Sequence, residues 1–420
     1  MEDITEGSAS NPVRNRWVRN RWVRTGALTI VAIIVCGLTL NRGFHDQIAR
    51  DIFFSLTLAG CTIVFLSVRP LREFPQVIGV TVVLIGLQLA VLKVPLKALP
   101  ALALLGLSGL FLLAVRRIGS SGRERQLLYD SLVPPLLFLL LGYFGSGPLA
   151  LTFRLHPKTL DLFLYSFDQS LGVQLSFKVG QVVLASHLLT RAMLGVYYLL
   201  PLAIMFTYAR LLVRDRGLAM TAFLAFLVAG PVGVVFYNLI PGCGPGCLMG
   251  GKYPFEMIST QQLRQMPLQS VLEGGARNAF PSLHLGWALL ALWYSECLSL
   301  RARLGMAIFF IGTVFATLGL GEHYFVDLVA AFPFALMIQG ACALKVPVFD
   351  ARRFVPLTAG LALMAGWVAL LRWGLALVWI NPALPWLLVA GTISLTLFLQ
   401  TRLRLLLFDP EERNRGGGES

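Results

Sequence analysis

The segment AFPSLHLGWALLALW, residues 279–293, begins with an alanine, a phenylalanine, a proline and a serine before its histidine, and then continues as an apolar run. A helix that crosses a bilayer needs roughly 20 mostly apolar residues, and this run supplies most of a span near 281–299. His284 lies at the beginning of the run, although the chain contains only five histidines. The segment therefore predicts a membrane helix that carries an ionisable side chain at one end.

The apolar composition extends over the whole chain. Of the 420 residues, 56% are hydrophobic and 13% are charged, whereas about a quarter are charged in a typical soluble protein. The long Leu, Val, Ala and Phe runs do not alternate as the strands of a membrane barrel do. We therefore predict an all-α, polytopic integral membrane protein with about twelve transmembrane helices. The predicted spans lie near residues 26–41, 52–68, 76–93, 98–115, 130–145, 189–212, 218–240, 281–299, 304–320, 324–344, 356–378 and 383–400.

The predicted spans fall into three regions. Residues 1–125 contain a basic N-terminal segment and four accessory helices, residues 126–345 contain a six-helix core, and residues 346–420 contain two accessory helices and a polar tail that is predicted to be disordered. The N-terminal Arg/Trp repeat NPVRNRWVRNRWVRT is predicted to bind anionic lipid, and nucleic-acid binding is the less favoured alternative. Residues 146–188 mix apolar and polar side chains, which predicts an amphipathic segment in the membrane interface.

The distribution of positive charge predicts the orientation of the chain. When the N-terminus is placed in the cytoplasm and twelve spans are threaded, 23 of the 35 lysines and arginines fall in cytoplasmic segments and 11 in outer segments. Because cytoplasmic loops carry the excess of Lys and Arg, both termini are predicted to be cytoplasmic. Residues 146–188, 241–280 and 321–323 then lie on the extracytoplasmic face.

Two of the six cysteines, Cys243 and Cys247, lie in the motif PGCGPGC on this predicted outer face, where oxidation is allowed. The sequence leaves open whether they form a disulfide. A zinc site is disfavoured because no second cysteine pair or nearby histidine completes a set of four ligands. We predict no metal and no other cofactor.

Two histidines are predicted to lie at the outer ends of spans, His284 in FPSLHLG and His323 in GLGEHYFVDLVAAF. Asp327 follows His323 by four residues, so the two side chains share one face of a helix. A carboxylate within reach of an imidazole fixes its tautomer and raises its basicity, which suits a nucleophilic nitrogen. Ionisable residues in membrane segments are energetically expensive, so both motifs are candidate functional sites. A metal site built from these three residues is the less favoured alternative.

The pattern PSLH followed by HYFVD resembles the type 2 phosphatidic acid phosphatase superfamily of histidine-dependent lipid phosphatases and phosphotransferases. It is most similar to the branch that contains inositol phosphorylceramide synthase, and the resemblance covers roughly residues 130–345. The motif FDQSLG is similar to an aspartate motif of that branch. Its Asp168 has two interpretations, a cap for the next helix or a site residue that binds a polar headgroup or a cation, and the resemblance favours the second.

The resemblance implies a phosphohistidine mechanism that needs no cofactor. His323 would attack the phosphorus of the lipid, and Asp327 would orient the attacking ring. His284 would protonate the departing oxygen and then activate the incoming water or alcohol, while Ser282 would hydrogen-bond a phosphate oxygen. Two easier displacements would then replace one difficult displacement.

The sequence also departs from the common phosphatase pattern of this superfamily. Leu283 stands where glycine is usual, and Thr317 stands where an arginine is usual, six residues before the nucleophile. Three other cations are the nearest replacements for binding substrate, and snorkelling to lipid headgroups is the alternative for each: Arg277, Lys252 and Arg191. Fewer cations suit a singly charged phosphodiester better than a dianionic monoester, which favours transfer of a phospho-headgroup.

We predict a membrane enzyme that moves a phospho-headgroup, such as phosphoinositol, from a phospholipid donor to an alcohol or lipid acceptor such as ceramide or diacylglycerol. Hydrolysis of a phosphatidic-acid-like or polyprenyl phosphate is the close alternative. A transporter or flippase in which the histidines relay protons is the alternative from another class, but it would place more charges deep in the spans. The sequence leaves the donor, the acceptor and the oligomeric state open.

Overall fold

The structure, a computed structural model, describes residues 12–95, 97–266, 268–271, 275–344 and 346–408, and the regular structure in them is almost entirely helical. The chain divides into two compact units, of which the first ends at Leu136 and the second begins at Leu137. The predicted polar tail from residue 409, and the side chains of the Arg/Trp repeat up to residue 22, lie outside the described part. The predicted three-region division of the chain stays a prediction.

The first unit is built from helices, most of which are long and apolar. They are α1 (Pro12–Leu40), α2 (Arg42–Arg50), α3 (Ile52–Val68), α4 (Phe74–Leu87), α5 (Ala98–Gly119) and the first part of α6 (Gly122–Leu155). Helix α3 packs directly against α5 at Gly106. A Cβ atom at this position would lie 1.7 Å from the carbonyl oxygen of Leu58, so the two backbones can approach this closely only because position 106 has no side chain.

The second unit contains the rest of α6, twelve further helices and one short strand pair. The helices are α7 (Asp161–Ser170), α8 (Leu175–Leu184), α9 (His187–Tyr198), α10 (Leu200–Arg214), α11 (Arg216–Leu239), α12 (Pro245–Met249), α13 (Thr260–Gln265), α14 (Leu283–Ser295), α15 (Leu300–Gly319), α16 (Phe325–Cys342), α17 (Ala351–Ala369) and α18 (Ala383–Phe408). The strands β1 (Lys158–Thr159) and β2 (Ser270–Val271) pair antiparallel, with Lys158 opposite Val271.

Helix α16 forms the centre of the second unit. In its apolar 18-residue window, 83% of the residues are buried inside the protein. It packs against α7, α11, α14, α17 and α18. An apolar helix that is buried on nearly all sides forms a core rather than a lipid-facing surface. The residues just before α16 are therefore held by contacts from several directions.

Nine helices among the described residues are long and apolar enough to cross a membrane, and the number rises to eleven if two bent helix pairs each form one span. The predicted all-α, polytopic membrane architecture is confirmed. Three of the twelve predicted spans are not among these nine helices: α3 has 17 residues, α14 has 13, and the predicted span at 189–212 is divided between α9 and α10.

The segment at 146–188, whose predicted position in the membrane interface stays a prediction, is mostly helical. It contains the end of α6, strand β1 and helices α7 and α8. Eight of the ten residues of α7 are buried, so α7 packs into the protein. Its apolar side chains are buried, and its two aspartates accept hydrogen bonds from backbone amides of other segments. The mixture of apolar and polar residues in α7 therefore serves packing and hydrogen bonding inside the protein.

Candidate active site

His323 lies in the short loop between α15 and α16, and its ring is held by a backbone carbonyl. The Nδ1 atom is 2.8 Å from the carbonyl oxygen of Ala279 and 3.5 Å from Oδ2 of Asp327. A carbonyl oxygen can only accept a hydrogen bond, so Nδ1 carries the proton of the neutral ring and Nε2 keeps its lone pair. This tautomer leaves Nε2 as the nucleophilic nitrogen.

Asp327 serves both His323 and the start of α16. Its Oδ2 atom accepts a 2.8 Å hydrogen bond from the backbone N–H of Tyr324, and the side chain is fully buried. The 3.5 Å separation from the imidazole exceeds normal hydrogen-bond length, so Asp327 lies beside the ring without a normal hydrogen bond to it. The structure thus brings together the histidine and aspartate that the sequence paired, and it adds the Ala279 carbonyl as the closer partner.

The His323 ring is neutral at physiological pH. Burial lowers its pKa to about 4, although the charge of Glu322 and the hydrogen bond with Ala279 act in the opposite direction. Burial has this effect because it disfavours the charged imidazolium more than the neutral imidazole. A neutral ring with an unprotonated Nε2 is the form that can attack an electrophile.

His284 lies in the first turn of α14, which begins at the N-cap Ser282. The Ser282 Oγ atom accepts a 3.3 Å hydrogen bond from the N–H of Leu285, and the Ser282 N–H donates to the carbonyl of Asp327 at 3.1 Å. This backbone contact joins the start of α14 to the first turn of α16, so both histidines lie at neighbouring helix ends. Ser282 is fully buried, and its predicted contact with phosphate stays a prediction.

The ring of His284 stacks on the ring of Tyr197 from α9. The ring centroids are 3.9 Å apart and the planes differ by 18°. The Tyr197 hydroxyl lies 3.5 Å from Oε2 of Glu322, and His284 is close enough to His323 for positive charges on the two rings to repel each other. Tyr197 and Glu322 thus form a second connection between the histidines. No sequence signal singles out Tyr197, because the stack joins helices that are distant in the chain.

Asp168 binds the beginning of α16. Its Oδ2 and Oδ1 atoms accept hydrogen bonds of 2.7 and 3.1 Å from the N–H groups of Phe325 and Val326, and its side chain is fully buried. Asp168 therefore caps the helix that follows His323 rather than the next helix in the chain, α8. Both carboxylate oxygens are engaged by the protein, and the predicted role in substrate binding stays a prediction.

Asp161, which sequence reasoning missed, holds the PGCG loop beside His323. Its Oδ1 atom accepts hydrogen bonds from the N–H groups of Cys243 and Gly244 and from the Tyr324 hydroxyl, all at 3.0–3.1 Å. Gly244 has φ +92°, and a Cβ atom there would lie 2.3 Å from the carbonyl oxygen of Glu322. Glycine is therefore required where the PGCG loop touches the histidine loop.

The three predicted replacement cations have different surroundings. Arg277 is fully buried, and its Nε and Nη1 atoms donate to the carbonyls of His156 and Gly275 at 3.0 and 3.1 Å. Lys252 is exposed and forms a 2.8 Å ion pair with Glu256, and Arg191 is exposed on α9. Arg277 and Lys252 thus bind other groups of the protein. Substrate binding by the three cations stays a prediction.

A cavity of about 530 Å³ adjoins the histidine loop. Glu322 lines one side of it, and Asn278, Cys243 and Cys247 line another. The two thiols are not joined by a disulfide and hydrogen-bond to each other. The hydrogen bond from Cys243 lowers the pKa of the Cys247 thiol, and the charge of Arg277 acts in the same direction. Among the described residues, no group of three or more His, Cys, Asp or Glu side chains could hold a metal ion.

Replacing Asp168 with alanine should destabilise the second unit. The change removes the acceptors of two amides at a buried helix start, and an unsatisfied buried amide costs about 1–3 kcal/mol, so we expect a loss of about 2–4 kcal/mol in the free energy of unfolding. Asp168→Asn, which retains one oxygen acceptor, should lose less. Thermal unfolding in detergent measures both, with Asp46→Ala at an exposed aspartate as the control. Equal stability of Asp168→Ala and the control would contradict the capping role.

Comparison with known proteins identifies the part of the chain that carries this site. A family model described as the PAP2 superfamily matches residues 162–341, which include both histidines and Asp327. The match begins in α7 and ends in α16, so it covers the helices that position the two rings. No curated protein and no solved structure matches the chain. Residues 162–341 of the chain therefore match the PAP2 superfamily, the family that the two histidine motifs predicted.

Proposed function

We propose that this protein transfers a phospho-headgroup from a phospholipid donor to an alcohol or lipid acceptor through a phosphohistidine on His323. Membership in the PAP2 superfamily supports a phosphatase or phosphotransferase that acts on lipid phosphates. The observation that carries the proposal is the 2.8 Å hydrogen bond between Nδ1 of His323 and the Ala279 carbonyl. This bond leaves Nε2 unprotonated for attack on phosphorus.

In the first step, Nε2 of His323 forms a bond to phosphorus while the bond from phosphorus to the diacylglycerol oxygen breaks. Protonated His284 gives its proton to that oxygen, and the negative phosphoryl group favours the protonated form of this ring. In the second step, the acceptor hydroxyl attacks phosphorus, its proton passes to His284, and the bond between phosphorus and His323 breaks. Each step uses one histidine as the nucleophile or leaving group and the other as the acid or base.

Transfer is preferred over hydrolysis of a phosphate monoester because the cations near the site are engaged. Arg277 is buried against backbone carbonyls and Lys252 is paired with Glu256. A dianionic monoester needs more positive charge around its oxygens than a phosphodiester does. The donor class and the resemblance to the inositol phosphorylceramide synthase branch are part of this proposal, with phosphoinositol as one possible headgroup and ceramide or diacylglycerol as the acceptor.

We also propose that the site faces the extracytoplasmic side and that both termini are cytoplasmic, because this orientation puts the excess of Lys and Arg on the cytoplasmic side. Cys247 is exposed beside the site. A membrane-impermeant maleimide should therefore label it in intact cells, and Cys247→Ser should lose that label. If Cys247 were labelled only after the membrane is permeabilised, the site would face the cytoplasm and the proposed orientation would be wrong.

The acceptor decides between transfer and hydrolysis in a direct assay. The purified protein is incubated with a phospholipid labelled on phosphorus, with and without ceramide or a diacylglycerol whose acyl chains differ from those of the donor. We expect the label to appear in a new lipid when an acceptor lipid is present, because the phosphoryl group passes from His323 to its hydroxyl. Release of all label as a water-soluble product, even with acceptor in excess, would identify a hydrolase instead.

A further inference from the structure

A cavity adjoins the loop that carries His323. Glu322, in its wall, precedes His323, and Asn278 precedes Ala279, whose carbonyl binds the His323 ring. Glu322 is also 3.5 Å from the hydroxyl of Tyr197, whose ring stacks on His284. A group that occupies this cavity of about 530 Å³ would therefore lie beside the loop that carries His323. This volume is in the range of small-molecule sites.

The charge of the cavity wall comes from Glu322. Its other polar lining includes the Asn278 amide and the thiols of Cys243 and Cys247. Glu322 is exposed, its hydrogen-bond partner is the Tyr197 hydroxyl, and no Lys or Arg of the described residues forms an ion pair with it. A carboxylate without a cationic partner at the wall of a cavity attracts positive groups and repels negative ones.

The two cations nearest in sequence to the cavity wall do not neutralise this carboxylate. Lys252 pairs with Glu256 at 2.8 Å and is exposed. The charge of Arg277 lowers the pKa of the Cys247 thiol. Arg277 itself is fully buried and donates to the carbonyls of His156 and Gly275. The cation-binding group of the cavity is thus the Glu322 carboxylate.

We propose that this cavity binds the headgroup of the donor lipid and that Glu322 selects a headgroup with a cationic amine. The proposal rests on the phosphotransfer function proposed above and specifies its substrate class. With phosphorus at Nε2 of His323, the amine of a zwitterionic phosphodiester would extend into the cavity and pair with Glu322. A neutral polyol headgroup would gain only hydrogen bonds there, and an anionic headgroup would be repelled.

The test uses donors that have identical acyl chains and differ only in the headgroup. For the native protein, we expect kcat/KM for phosphatidylethanolamine to exceed that for phosphatidylglycerol by about fivefold, which is the effect of one partly exposed ion pair. Phosphatidylserine, which adds a carboxylate to the amine, should be poorer than phosphatidylethanolamine. In Glu322→Gln the preference for the amine should disappear. Glu256→Gln, which removes an exposed carboxylate outside the cavity wall, should retain it.

A binding measurement separates this proposal from the proposed function. The inactive variant His323→Ala is titrated with the soluble diesters glycerophosphoethanolamine and glycerophosphoglycerol and observed by ligand NMR. Stronger binding of glycerophosphoethanolamine than of glycerophosphoglycerol, together with loss of this preference in the double variant His323→Ala/Glu322→Gln, supports headgroup binding in the cavity. This result would hold even if the protein turned over no donor lipid. Equal binding of the two diesters, or an amine preference that survives Glu322→Gln, would overturn it.

Discussion

Replacing His323 with alanine should reduce turnover at least about a thousandfold, as removal of a covalent nucleophile does in other enzymes. The variant lacks the Nε2 atom that we propose to bond to phosphorus. The native protein, incubated with a donor labelled on phosphorus and quenched rapidly, should carry acid-labile and base-stable label. His323→Ala should carry none.

The control for this experiment is His187→Ala. His187 is an exposed histidine at the start of α9, and its loss should leave both the label and the turnover near the native values. A protein label that survives in His323→Ala would mean that another group is the nucleophile. Turnover without any label in the native protein would instead favour direct attack of the acceptor on the donor.

The second large effect is expected for His284→Ala, which should lower turnover about 10²- to 10⁴-fold with a natural phospholipid. In the proposed first step, the diacylglycerol oxygen leaves as an alcohol only if it receives a proton, and the ring of His284 supplies it. The initial rate of headgroup transfer measures this change.

Donors with different leaving groups test whether His284 acts as a general acid or only supports the fold. With a p-nitrophenyl phosphodiester of the same headgroup, the departing p-nitrophenolate needs no proton, so the defect of His284→Ala in the first step should shrink to within about tenfold. The amount of labelled protein formed in the first turnover measures that step. An equal defect with both donors would contradict the role of His284 as the general acid.

The sequence was sufficient for the parts of the site that are local in the chain. His323 and Asp327 are four residues apart, so helix geometry alone pairs them. The start of α14 at Ser282 also follows from local signals, since a serine before an apolar run is a common N-cap. The long apolar runs predicted the membrane architecture, because few other structures bury so many consecutive apolar residues.

The remaining part of the site depends on contacts between distant segments. The carbonyl of Ala279 carries no side-chain signature, and its position next to His323 follows from how α14 and α16 pack. Asp168 lies 157 residues before its partner Phe325 in the chain, so the capping alternative could name only the next helix, α8. Periodicity cannot identify such partners, because it reports only the faces of single helices.

Hydropathy also does not show where an apolar run is interrupted. A hydropathy window counts apolar residues, but it cannot detect that the run at 189–212 is divided between α9 and α10 or that α14 ends after 13 residues. Similarly, the segment around α7 has the composition of an interfacial helix, yet packing buries it. Both differences arise because tertiary contacts override local preference.

The backbone contacts at the two ends of the loop between α11 and α14 define a unit for protein engineering. The N–H of Ala279 donates to the carbonyl of Gly242 at 2.9 Å, so the loop leaves and re-enters the core at one point. Closing a longer loop costs only about 0.6 kcal/mol for each doubling of its length. A segment grafted between these two residues must retain Gly244, which touches the histidine loop, and the buried Arg277. Within that limit, its length can change while the histidine pair stays in register.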